Sequence, residues 1–219
     1  MQIFNSNYSD FVEIDGRNTM YPSYGFSYYG EEKTTDVPKY STLYGYSFAG
    51  QIKVGNKKYT LDSGQFFSIP IFEDTITISG KLFCIFRLGY LGQRVLGWVD
   101  DNKGRLSYID GCSDSMLVYP PRLGDPSLNY LHFPENIEQS FHTHPSIRIG
   151  CVIGGNGVAH TKTNTYDLVK GSSFLLNEKE LHRFTTSNNH MEIIAFHPDG
   201  DWGPQDENHS MLNRTYISK

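Results

Sequence analysis

No apolar stretch in this chain approaches the length needed to cross a bilayer. Runs of Lys and Arg never exceed two residues, and the formal net charge is -5. Neither a nucleic-acid footprint nor a basic membrane patch is expected from that balance. Cysteine is scarce: Cys84, Cys112 and Cys151 are odd in number, widely separated and without zinc-type spacing. A reduced, cytoplasmic setting is the simplest expectation. Met1–Asp10 is polar, so no signal peptide is expected. Blocks rich in Ala, Leu or Glu are also scarce, which argues against a helical bundle. What the chain has instead is 15 Tyr, 14 Phe, 21 Gly and 10 Pro in 219 residues. That mixture points to β-structure with many turns.

Two segments resemble each other. At a single offset of 107 residues, Tyr59 meets Tyr166, Leu61 meets Leu168, Gly64 meets Gly171 and Phe67 meets Phe174, while Gly50 meets Gly157 upstream. Five ordered identities without a gap read as two copies of one supersecondary unit. The same register sets His142, His144 and His182 against Thr35, Val37 and Thr75, so the first copy lacks the histidines of the second. Each copy reads as short strands, with turn signals at Gly55-Asn56 and Gly154–Gly157. The expected fold is all-β, two small antiparallel barrels in tandem, with a β-sandwich as the bland alternative. The turn-rich stretch 92–126 separates the copies and puts the expected boundary at 1–103 and 104–219. The Tyr- and Gly-rich residues Met1–Lys39 would add an edge strand, or an arm to a neighbouring subunit.

The second copy carries the chemistry. In "SFHTHPSIRIGCVIGGNG", His142 and His144 stand two apart, a spacing that points both imidazoles to one face of an extended chain. His182, eleven residues after Gly171, is the candidate third ligand. Imidazole suits Fe, Zn, Cu and Ni better than Mg or Ca. The order of these residues resembles the cupin superfamily, whose first motif has the form G-x5-H-x-H-x3-4-E-x6-G and whose second has the form G-x5-P-x-G-x2-H. His142, His144 and Gly155 match the first; Gly171 and His182 match the second, with Asn177 and Lys179 at the usual Pro and Gly. Gly64 and Pro70 keep half of the second motif in the first copy, where Thr75 replaces the histidine. The chain therefore resembles a bicupin with a degenerate, metal-free amino-terminal barrel. The resemblance implies a metal inside the second barrel and substrate entering at one mouth.

Arg148 stands where the first motif has its glutamate. A guanidinium cannot ligate a metal. At ~6 Å from a dication its repulsion would be roughly 5 kcal/mol for an effective dielectric of ~20. Three arrangements would relieve it: an anionic ligand held between metal and Arg148, a bulge that turns Arg148 outward, or a structural pairing with an inward carboxylate such as Glu192. Tyr130 and His132 would line the pocket on one strand parity and pack elsewhere on the other. His160 and His190 are expected at the surface, Cys151 as buried packing, and His197 at the start of a turn-rich stretch that could cap a barrel mouth.

The leading expectation is a metal-dependent protein acting on a small anionic organic molecule: a non-haem Fe(II) dioxygenase with His142, His144 and His182 as ligands and Arg148, Tyr130 and His132 around the substrate. One divalent transition metal per chain is expected, Fe(II) favoured, with Zn, Ni, Mn or Cu also compatible. A non-redox lyase or isomerase using Tyr130 or His132 as proton carrier, and a non-enzymatic binding or sensing protein, stand beside it. A homodimer is left open as the assembly.

Overall fold

The computed structural model describes residues 1–5, 11–99, 103–200, 203 and 205. Among these, sixteen strands and one 3-10 turn at Ile109–Gly111 form two antiparallel sheets. The first sheet contains β2 (Phe11–Gly16), β3 (Ser23–Asp36), β4 (Ser41–Val54), β5 (Lys57–Leu61), β6 (Gln65–Ile71), β7 (Thr75–Arg87) and β8 (Val95–Trp98). Its order is β2-β3-β7-β4-β6-β8, with β5 folded back on β4. The second contains β9 (Leu106–Ser107), β10 (Ser113–Val118), β11 (Ser127–Phe133), β12 (Arg148–Thr161), β13 (Thr165–Val169), β14 (Ser172–Leu176), β15 (His182–Thr185) and β16 (Met191–His197). Its edge strand beside β14 is β1 (Gln2–Asn5), so the amino-terminal strand lies in the sheet of the carboxy-terminal ones.

The two sheets repeat one plan. Gly50 lies opposite Leu61 as Gly157 lies opposite Leu168. Gly64 and Gly171 open β6 and β14 with φ of 98° and 93°, a region that favours glycine. One detail departs from the single offset. Gly45 lies opposite Phe67 and Gly150 opposite Phe174, which is an offset of 105 on the long strand. In both, the phenylalanine ring fills the space a Cβ would need: an added Cβ would meet Phe67 at 2.5 Å and Phe174 at 2.2 Å. β12 therefore carries two more residues than β4 between these landmarks, and both strands bulge within the stretch, β4 between Ser47 and Gly50 and β12 between Val152 and Gly154.

Three apolar clusters hold the molecule together. One, including Phe26, Leu43, Phe67, Ile69 and Phe86, fills the first barrel. Another, including Phe133, Val152, Phe174, Phe184 and Ile193, lines the second. The third is a seam between the sheets, where Tyr44, Phe83 and Ile85 meet Tyr130, Ile149, Cys151 and Phe196. A buried hydrogen bond between the hydroxyls of Ser27 and Ser173, 2.7 Å, crosses the same seam. Strands facing both an interior and the seam are buried on both sides, so their sequences lose the clean alternation of a half-exposed strand. Cys84, Cys112 and Cys151 are free and buried, one in each cluster.

Candidate metal centre

His142 and His144 lie in the extended approach to β12, not on a strand. Alternation nevertheless persists along this segment: Phe141, Thr143 and Pro145 are exposed, while His142 and His144 are half-buried and Ser146 and Arg148 buried. His142 forms an isolated antiparallel bridge with His182, each backbone N–H donating to the other's carbonyl at 2.9 and 3.0 Å. The Lys179 N–H donates to the carbonyl of His144 at 2.8 Å and closes the turn before β15. Lys179 has φ of 55°, the left-handed conformation that glycine takes more cheaply, by roughly 1 kcal/mol.

These constraints converge the three imidazoles. One nitrogen from each of His142, His144 and His182 lies within 4.8 Å of the others. Ring centroids are 5.1 Å apart for His142–His144, 4.4 Å for His142–His182 and 5.1 Å for His144–His182. Backbone carbonyls fix two tautomers. His142 Nδ1 donates to Ser140 O at 2.9 Å and His182 Nδ1 to Glu180 O at 2.8 Å, leaving each Nε2 as a lone-pair donor. The Nε2 of His182 is buried without a hydrogen-bond partner, a position a metal ion would satisfy. Burial, then the Arg148 charge and the other two imidazoles, pulls His144 down to about 3. Burial chiefly lowers His182 to about 4. Neutral imidazoles are the form that ligates. Donor set, tautomers and charge state thus fit a divalent transition metal.

Arg148 opens β12 with its side chain inward, 5% exposed. Its Nη1 donates to Ser146 O, Ser146 Oγ and Ile147 O at 3.1, 2.6 and 2.9 Å, which fixes the guanidinium. It shares a cavity with His142 and His144; Phe133, Phe174, Phe184 and Leu176 are among the apolar walls. The cavity has a volume of about 40 Å³, room for about three waters.

Tyr130 and His132 do not line this cavity. On β11 the odd residues Leu131 and Phe133 face it, and the even ones face away. Tyr130 is fully buried in the seam, its hydroxyl donating to Glu192 Oε1 at 2.9 Å. His132 stacks on His190 with centroids 6.0 Å apart. Glu192 shares that far face, since Ile193 and Ala195 are the cavity-lining residues of β16; the expected inward carboxylate partner of Arg148 is not Glu192. Several polar cavity residues were not anticipated at the site, Tyr108 and Gln139 among them, and two others can carry charge. His197 continues the parity of Ile193 and Ala195, and burial with the nearby Arg148 charge lowers it well below the usual histidine range. Asp114, on β10, is the other.

The first barrel has no such centre among the described residues. Asp36 faces Thr75 across β3 and β7, and no histidine precedes His132 in the sequence.

Residues 130–208 match the family model of the AraC-like ligand binding domain. A search of curated protein sequences finds no match. The cupin 2 conserved barrel domain protein from Leptotrichia buccalis is 18% identical, with 88% of this chain and 91% of that one aligned at a TM-score of 0.57. The fold is that of the cupins. Protein Ylba from E. coli, 14% identical, aligns over 92% of this chain and 88% of its own at 0.61. Salicylate 1,2-dioxygenase from Pseudoaminobacter salicylatoxidans, in adducts with gentisate, is 10% identical over 80% and 67% at 0.59. At these identities the structural matches speak for the cupin fold alone, and together with the family model they support the cupin superfamily.

Proposed function

We propose that this cupin is a metal-dependent enzyme acting on a small anionic organic molecule, with Fe(II) held by His142, His144 and His182 and oxygenation as its reaction. One observation carries the reading: three converging imidazoles, two of them on the wall of one small cavity, stand with the fixed guanidinium of Arg148, which borders the same cavity. Three protein ligands leave coordination positions open. Bound Fe(II) would supply redox chemistry toward oxygen. The chain's own groups do the rest. Arg148 receives a carboxylate with charge-assisted hydrogen bonds, and the walls of Phe133, Phe174, Phe184 and Leu176 keep bulk water out. The cavity is small, and the proposed substrate is a short acid. The strands between Phe11 and Trp98 form, in this reading, a degenerate metal-free barrel that backs the second through the seam, so the expected boundary of 1–103 and 104–219 is departed from by β1, which joins the second sheet.

The test is oxygen uptake by Fe(II)-loaded protein with a panel of short carboxylates. Uptake that requires the acid, and that Arg148→Ala abolishes while retaining metal, supports the proposal. A second reading, a ligand-binding or sensing domain, is favoured by the AraC-like match over 130–208. Tight acid binding without oxygen uptake would select it. The lyase or isomerase reading loses its named proton carriers, because Tyr130 and His132 face away from the cavity.

A further inference from the structure

Asp114 is, among the described residues, the only acid on the cavity wall. It sits opposite Leu131 in the β10–β11 ladder, so its inward direction is set by register. Asn129 Nδ2 donates to both carboxylate oxygens, at 3.1 Å to Oδ1 and 2.9 Å to Oδ2. The amide therefore clamps the carboxylate in one orientation and leaves lone pairs on each oxygen. Burial pushes the Asp114 carboxyl above the ordinary aspartate range, which marks a costly placement in an otherwise largely apolar wall. Beside the uncharged polar groups of Tyr108 and Gln139 and the histidines, the cavity thus has two charged poles of opposite sign, a guanidinium that donates and a carboxylate that accepts, in a space for about three waters.

We propose that Asp114 is a specificity-determining residue and that the ligand of this site is a small hydroxy acid, its carboxylate directed to the metal centre and Arg148 and its hydroxyl donating to Asp114. This rests on the metal-and-arginine reading above and narrows it. A hydroxyl fits better than an ammonium, because an added cation would face both a dication and Arg148 while only one carboxylate offsets them. A plain acid would leave Asp114 desolvated without a new partner, which is the arrangement that discriminates most strongly against a ligand lacking the donor.

Calorimetric titration of the Zn(II)-loaded protein with lactate, propionate and alanine tests it. Lactate should bind more tightly than either of the others. Because the lactate hydroxyl could also approach the metal, the decisive quantity is the lactate-to-propionate affinity ratio in variants. Asp114→Asn should reduce that ratio by about tenfold, the range of one charge-assisted hydrogen bond, with propionate unchanged. Asp114→Asn places an amide against the Asn129 amide and could unsettle the strand pair. The exchange Asp114→Asn with Asn129→Asp restores the clamp from the other side and should show the same reduced ratio. An equal ratio in wild type and both variants overturns the proposal. Propionate binding that depends on Arg148 beside a ratio indifferent to Asp114 would remove only this inference. Binding of neither acid by the wild-type protein would remove the parent reading with it.

Discussion

Acid should destabilise the metal-free protein steeply, and two residues of the metal centre should account for a measurable share of the effect beside the buried His197. His144 and His182 stand near 3 and 4 in the folded chain, against an ordinary value of 6.5. Their folded-state values are depressed, so the unfolded chain takes up protons first as pH falls. The stability these neutral rings contribute is fully present above about pH 6.5 and is lost as pH drops from there toward the folded values. Each ring costs about 1.4 kcal/mol per pH unit in that window. Between about pH 7 and pH 5 the two together amount to roughly 4 kcal/mol, and the partial exposure of the site reduces this to roughly 3. Asp114, pushed upward by burial, acts with the opposite sign, so the comparison must be made against a variant and not against zero. Urea unfolding of chelator-treated protein at the two pH values measures it. His144→Gln combined with His182→Gln should lose roughly 3 kcal/mol less than the parent over the same range, the remainder coming from other buried histidines, His197 first. Equal pH slopes in variant and parent would refute the reading that buried neutral imidazoles make this centre.

Other perturbations address other parts of the account. Arg148→Ala should keep the metal, or bind it slightly better, while weakening acetate at least tenfold by calorimetry; Arg148→Glu should tighten the metal and repel the anion. Tyr130→Phe should leave metal content and acid binding unchanged while lowering stability by about 1 kcal/mol, because its hydroxyl serves the seam through Glu192. Gly150→Ala should destabilise by about 1–3 kcal/mol in thermal unfolding, since the new Cβ meets the Phe174 ring at 2.2 Å.

Much of the centre was legible because the ligand segment is extended. From Phe141 to Ser146 exposed and more buried residues alternate, and Ile147 then packs in the seam while Arg148 reaches the cavity, so spacing by twos predicts that His142, His144 and Arg148 share a face, even though the first two are not on a strand. The repeat was legible in part because Gly64 and Gly171 answer one local demand, a positive φ, whereas the equivalence of Gly45 and Gly150, set by ring-filled space, lies at another offset and escaped the single-offset comparison. Tyr130 and His132 could not be placed in this way. β11 is buried on both faces, Leu128 and Tyr130 in the seam and Phe133 in the barrel, so either parity looks like core. Glu192 was misdirected for the same reason on β16. His197 lay beyond the last apolar residue of that strand, in a stretch whose turn residues masked its parity with Ile193 and Ala195. Asp114 carried no motif, and only its register opposite Leu131 gives its direction.

The central claim is that three histidines of the second barrel hold one transition-metal ion. Elemental analysis of freshly purified wild-type protein beside His142→Ala tests it most directly. The account predicts close to one equivalent of a transition metal, iron before others, in the wild type and a trace in the variant, with the variant otherwise folded. Equal metal content in the two proteins, or none in wild type after incubation with Fe(II) or Zn(II), would contradict it.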